Sequence, residues 1–212
     1  MSSLFELYCD RLGWFLELVL EHLWLSGAAI LFASAIGLFL GIFITVFRQT
    51  AKVVLGFTNI IYTIPCIALL GLLLPISGIG NGTAIIALTI YGLLPIVRNT
   101  FTGIDTIDKD ILEAAVGMGC TTPQTILRIK LPLALPVILT GFRNAVVMTI
   151  ALAGIASYIG AGGLGVAIYR GITMNNQTMV VAGSILIALV AIILDAAISL
   201  IIHILKRKRR MV

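Results

Sequence analysis

The chain has 212 residues, of which 60% are hydrophobic and only 11% charged, with a mean hydropathy of +1.15. A soluble domain carries about 45–50% apolar and about 25% charged residues, so this composition excludes a water-soluble globule and points to the bilayer, where a span needs about 20 apolar residues. The length suits about five such spans with short connections and no second soluble domain, and the net charge of +5 is explained by its placement along the chain rather than by nucleic acid.

Residues 1–21 read as an amphipathic helix lying on the outer membrane face. Glu6, Asp10, Glu17 and Glu21 share one side, and Leu4, Tyr8, Leu12 and Phe15 take the other. The acidic start argues against the basic leading region of a signal peptide. A first span is expected over 23–47, with Trp24 as an interfacial aromatic. Within it Ala33, Gly37 and Gly41 form a small-residue face that another helix can approach. A basic turn at 48–52 leads to a second span over 53–74 that contains Pro65, followed by a glycine-rich loop at 75–82. The third span, 83–97, is expected to break at Pro95 and close at Arg98. A polar stretch over 101–130 precedes a fourth span at 131–158. Then come the glycines Gly160, Gly162, Gly163 and Gly165, a fifth span at 178–205, and a run of five basic residues from Lys206 to Arg210. The chain divides accordingly into the helix 1–21, a membrane domain 22–205 with its polar loop at 102–131, and a basic tail at 206–212.

Charge sets the expected orientation. One side of the membrane receives Arg48, Lys52, Arg98, Lys109, Arg128, Lys130 and the five basic residues of the tail, which is eleven of the fourteen Lys and Arg. The other receives Arg11 and Arg170, and Arg143 lies within a span. The positive-inside rule places the N-terminus outside and the polar loop and tail in the cytoplasm. The tail reads as an anchor drawn to anionic lipid. It lacks the aromatic platforms that single-stranded nucleic acid would require.

The polar loop is long for a hydrophobic protein and has helical character. Asp110 is placed to cap a helix whose third position is Glu113. Ala114, Ala115 and Gly119 give that helix a small-residue surface, Thr122-Pro123 suits the start of a second short helix, and Pro132 suits the first turn of the fourth span. The segment resembles the "EAA" loop of importer permeases in the ABC superfamily: Glu-Ala-Ala, three residues, Gly, nine residues, Ile, one residue, Leu-Pro. Glu113, Ala114, Ala115, Gly119, Ile129, Leu131 and Pro132 match every fixed position. The runs Tyr62-Thr-Ile-Pro65, Leu94-Pro-Ile-Val-Arg-Asn-Thr100 and Ser157-Tyr-Ile-Gly-Ala-Gly-Gly-Leu-Gly165 are similar to the osmoprotectant branch, which imports glycine betaine, carnitine, choline and related quaternary-ammonium compounds.

The resemblance implies an all-α, multi-pass protein of the bacterial cytoplasmic membrane with the methionine-importer-like (type I) permease fold. It also implies a second, identical or different permease chain, two cytoplasmic ABC ATPase subunits gripping the loop around Glu113–Gly119, and an extracellular or periplasmic solute-binding protein. No catalysis and no cofactor are expected of the chain itself. None of its five lysines follows a glycine, so no G-x-x-x-x-G-K-[ST] loop is present and ATP is expected on a partner. Import of another small solute, such as an amino acid or a betaine-like thiol, stays open. So do an ATP-independent channel or secondary transporter, which leaves the loop unexplained, and a membrane scaffold or sensor that binds partners without moving solute.

Gly160-x-Gly162-x-x-Gly165 matches the dinucleotide fingerprint literally but lacks its strand and its acidic residue about twenty positions on. These glycines read instead as a tight outer loop, a candidate external gate. Cys9, Cys66 and Cys120 are far apart and His22 and His203 isolated, so no metal site is expected. Arg143 and Asp195 each interrupt an apolar run at similar depth, where a charge costs about 2.5–3.5 kcal/mol or more. They are a candidate ion pair, within one chain or across two. The alternatives are a static packing pair and an Arg143 that snorkels inward. Tyr62, Tyr91 and Tyr158 are placed to touch a passing solute or simply to pack.

Overall fold

The computed structural model describes residues 2–209, and its regular elements are helices joined by short turns. They are α1 (Ser2–Asp10), α2 (Leu12–Val46), α3 (Arg48–Thr63), α4 (Cys66–Ser77), α5 (Asn81–Asp105), α6 (Lys109–Gly117), α7 (Thr122–Thr125), α8 (Leu131–Ala153), α9 (Gly165–Thr173) and α10 (Gln177–Arg209). A π-helical turn, Ile126–Lys130, joins α7 to α8, and a 3-10 turn, Ile155–Ile159, follows α8. Among the described residues, four helical stretches are long and apolar enough to cross a membrane. A fifth span results if the bent pair α3–α4 is counted as one.

The centre of the bundle is α5, packed between α2 and α8. The small-residue face of α2 makes this possible. Ala33, Gly37 and Gly41 are buried, and a Cβ on Gly41 would lie 2.5 Å from the Thr100 Cβ of α5. Backbones meet there at a distance no larger residue allows, and close packing is what holds helices together where lipid is as apolar as the side chains. The main apolar cluster joins Leu25 and Ala29 of α2, Leu69 and Leu70 of α4, and Ala84, Leu88 and Tyr91 of α5. α10 lies at the edge against α8 and α9 and turns Leu189, Ile192, Ile193 and Leu200 outward.

Several boundaries differ from the sequence reading. No break separates residues 21 and 22: the helix break falls at Arg11, and α2 runs unbroken for 35 residues, about 52 Å. Its first turns bury Phe15 and Leu18 against Leu164, Ala167, Met179 and Ala182, whereas Leu12, Leu16 and Leu20 stay exposed. The basic turn shrinks to Phe47. No Pro or Gly stops the chain from re-entering a helix, and Arg48–Lys52 already belong to α3. Pro95 does not break α5, which continues to Asp105. Proline is tolerated inside a membrane helix that neighbours enclose, and α5 is such a helix. Pro65 does break its span. Ile64 takes an extended conformation (φ −70°, ψ 127°), as the residue before proline prefers, and α3 and α4 meet at 101°. The helix α9, unexpected from the sequence, fills the stretch between the glycine loop and α10. The last helix carries on into the basic run as far as Arg209, and residues 210–212 of the expected tail lie outside the described residues.

Candidate functional site

The fixed positions of the loop pattern gather at one end of the bundle. Asp108, not Asp110, caps α6: its carboxylate accepts the Asp110 backbone N–H at 3.0 Å. The helix begins two residues earlier than the capping-box reading requires, which leaves Asp110 in its first turn, where a negative charge suits the dipole. Gly119 ends α6 in the left-handed region (φ +77°). The Gly119 N–H bonds the Val116 carbonyl at 2.9 Å and the Cys120 N–H bonds that of Ala115 at 3.1 Å. This is a Schellman termination, which favours glycine at the turning residue. Thr121 and Gln124 then form a reciprocal cap for α7. The π-helical turn carries Ile129 into α8, and Pro132 stands in the first turn of α8 directly after it.

Within this loop Ala115 is buried, whereas Glu113, Ala114 and Gly119 are exposed. Val116 and Met118 stand out at 68% and 75% exposure. Lys109, Leu112, Glu113 and Val116 line an open hollow of about 380 Å³. Large apolar side chains projecting from a polar loop mark a surface made for contact. The loop is tied to the bundle beside it by an ion pair between Arg48, at the start of α3, and Asp105, at the end of α5, and by Ile104 packing on Ala134 and Ile138.

At the opposite end of the bundle the glycine loop is stitched to α2 and α5. The Gly162 N–H donates to Asn81 Oδ1 and the Gly163 N–H to Glu21 Oε2, both at 2.9 Å. The Gly80 N–H donates to the Ile159 carbonyl at 3.0 Å. Gly163 has φ +89° and presses so closely on His22 that a Cβ would come within 3.0 Å of its Nδ1. His22 itself is buried and its Nε2 donates to the Ile150 carbonyl of α8 at 3.1 Å. Gly160 supplies a further left-handed turn, and Gly165 opens α9. The sequence reading named these glycines but not their partners Glu21, His22 and Asn81. The available signal was polar residues bordering an apolar run and an Asn inside a glycine cluster.

Arg143 and Asp195 meet within one chain. The guanidinium donates from Nε to Oδ1 at 2.5 Å and from Nη2 to Oδ2 at 2.7 Å, with the two side chains 37% and 33% exposed. Two parallel bonds of this kind fix geometry as well as charge. At the break between α3 and α4, the Tyr91 hydroxyl donates to the Ile64 carbonyl, and Tyr62 and Tyr91 stand edge to face with ring centres 6.1 Å apart.

A bundle of apolar spans with an apolar-tipped helical loop at one end and a pinned glycine loop at the other is the architecture of a membrane transport component. Residues 33–211 match the family described as the binding-protein-dependent transport system inner membrane component. The osmoprotectant import permease protein OsmW of Salmonella typhimurium is 43% identical over 88% of this chain and 89% of its own length. The glycine betaine/carnitine/choline transport system permease protein OpuCD of Bacillus subtilis is 41% identical over 92% and 86%. The ergothioneine transport permease/ergothioneine binding protein EgtU of Helicobacter pylori is 41% identical over 84% of this chain but 32% of its own length. Among solved structures, an inward-facing MetNI methionine ABC transporter superposes with a TM-score of 0.84 at 24% identity, covering 92% of this chain and 98% of that one. The chain belongs to the binding-protein-dependent transport system inner membrane component family and is the permease component of an ABC importer, with the type I importer fold.

Proposed function

We propose that this permease imports quaternary-ammonium osmoprotectants, of which glycine betaine, carnitine and choline are the leading candidates. The observation that carries the reading is the likeness to OsmW and OpuCD along nearly the whole chain. In this reading the α6–α7 loop faces the cytoplasm, as the distribution of Lys and Arg favours, and Met118 and Val116 seat in a groove of an ABC ATPase. The N-terminus lies outside and the C-terminus inside. A second permease chain completes the pathway, and a separate solute-binding protein delivers the solute near the glycine loop. The chain performs no catalysis and binds no cofactor of its own. ATP is bound and hydrolysed on the partner, whose closure moves α5 and α8 through the loop they flank.

The likeness to EgtU favours a second reading, in which the solute is a betaine-like thiol. Uptake by the permease, its ATPase and its receptor in proteoliposomes separates the two. Labelled glycine betaine, choline, carnitine and ergothioneine are offered beside a Gly119→Arg variant and an ATPase-dead control. Uptake of a quaternary-ammonium osmoprotectant that both changes abolish is the expected result. Uptake of ergothioneine alone transfers the assignment to the second reading. Uptake that survives both changes overturns ATP coupling in favour of a channel or secondary transporter.

A further inference from the structure

Between Val53 and Val97 the chain has no charged residue, yet this stretch contains the helix break at Ile64–Pro65 with its 101° bend. Thr63 and Pro65 at the break are exposed. Non-helical backbone at membrane depth is tolerated where it is enclosed by protein or lines a water-filled cavity, and not against lipid. One freed carbonyl is satisfied from inside: Tyr91, almost wholly buried, reaches from α5 to donate to Ile64. The other side of the break is open, and Tyr62 stands there at 46% exposure. Its hydroxyl donates to the Met148 sulfur of α8 at 3.3 Å. Its ring packs against that of Tyr91 in a T-shaped contact with an interplanar angle of 64°. Tyr62 lies fourteen residues along α3 from Arg48, about 21 Å of helix, deep inside a span.

We propose that the open side of this break lines the solute pathway and that Tyr62, braced by Tyr91 and Met148, is a transient cation–π station for the quaternary ammonium group. The proposal rests on the reading of the solute given above. A trimethylammonium group cannot donate a hydrogen bond and is attracted to the negative face of an aromatic ring. A carboxylate at this depth would trap a cation and be costly to bury, and the charge-free stretch around the break offers none. A single accessible tyrosine face binds weakly, which suits a group that must leave as readily as it arrives. The hydroxyl bond to Met148 and the T-shaped contact with Tyr91 hold the ring in place.

The test is uptake of glycine betaine and choline by the complete importer in proteoliposomes, with ATPase stimulation by loaded receptor measured in parallel. Tyr62→Phe keeps the ring face but loses the bond to Met148, and is expected to retain uptake well above that of Tyr62→Leu. Tyr62→Leu is expected to lower uptake about tenfold while receptor-stimulated ATPase activity persists. Replacing Tyr62 by phenylalanines of increasing fluorination holds the shape nearly constant and withdraws charge from the ring face. Uptake is expected to fall step by step along that series. A series that stays flat, or a Tyr62→Leu variant as active as Tyr62→Phe, overturns the station while leaving osmoprotectant import standing. Wild-type importer that moves neither solute overturns both.

Discussion

Arg143 of α8 and Asp195 of α10 face each other across the bundle edge and join through two parallel hydrogen bonds of 2.5 and 2.7 Å. α10 otherwise adheres mainly through apolar contact, which gains little where the surrounding lipid is equally apolar. The pair therefore fixes the register of α10 on α8. Removing one partner strands a charge at membrane depth at about 2.5–3.5 kcal/mol. Arg143→Met and Asp195→Leu are each expected to lower the thermal midpoint of the detergent-solubilised importer and to reduce uptake. The double variant Arg143→Met with Asp195→Leu is expected to recover most of the midpoint, because an apolar pair replaces an ionic one at little net cost. The exchange Arg143→Asp with Asp195→Arg is expected to recover uptake. A double variant no better than the worse single one contradicts the pairing.

Gly119 tests the loop through its backbone. At φ +77° a residue with a Cβ is strained by about 1–2 kcal/mol, and Asn is the side chain that tolerates this region best. Gly119→Ala is expected to weaken ATPase binding to the purified permease several-fold, with Gly119→Asn intermediate between it and the wild type. Open space surrounds the Cα, so the strain is conformational and not steric. Equal binding by all three chains contradicts a role for this turn.

Asp108 and Asp110 separate two accounts of the same helix start. Asp108→Ala removes the cap bond at 3.0 Å and is expected to cost about 1 kcal/mol. Asp110→Ala loses only a dipole contact of about 0.3–1 kcal/mol. Amide hydrogen exchange across α6 reads the difference: faster exchange in Asp108→Ala than in Asp110→Ala is the expected order.

Glu21 holds the glycine loop by a charged acceptor 2.9 Å from the Gly163 N–H. Bonds to charged groups contribute about 1.5–3 kcal/mol, so Glu21→Ala is expected to speed exchange of the Gly163 amide and to lower uptake. Glu21→Gln, which keeps an acceptor oxygen, is expected to lie much nearer the wild type. Gly163→Ala is expected to be the most damaging of the three, since its Cβ meets both a φ of +89° and the His22 ring.

Gly41 reports on the bundle core. Even the methyl of Gly41→Ala meets the Thr100 Cβ at 2.5 Å, and overpacking of this kind costs about 1–3 kcal/mol. A lowered thermal midpoint is expected for Gly41→Ala. The same change at Gly27, where nothing lies within 4 Å, is expected to leave the midpoint unchanged.

Much of this was written in local chemistry. Hydropathy alone establishes a membrane protein, because no aqueous exterior can be built from such a composition. The spacing of Glu113, Ala114, Ala115, Gly119, Ile129, Leu131 and Pro132 specifies the loop, since caps and turns depend on residues a few positions apart. The small-residue face of Ala33, Gly37 and Gly41 announced a close helix contact, though not its partner. Proline showed the limit of local rules. Pro65 and Pro95 sit in similar apolar runs, yet one bends its span by 101° and the other leaves α5 continuous. The difference lies in what surrounds each: α5 is enclosed by α2 and α8, whereas the α3–α4 break is open on one side and held on the other by the Tyr91 hydroxyl. Likewise the bonds from Glu21 to Gly163 and from Arg143 to Asp195 join residues 142 and 52 positions apart. Composition and short spacings determine what a segment can be, because they act through neighbouring backbone groups and the solvent. Which segments meet, and at what angle, is decided only when the backbones pack closely enough for such distant groups to touch.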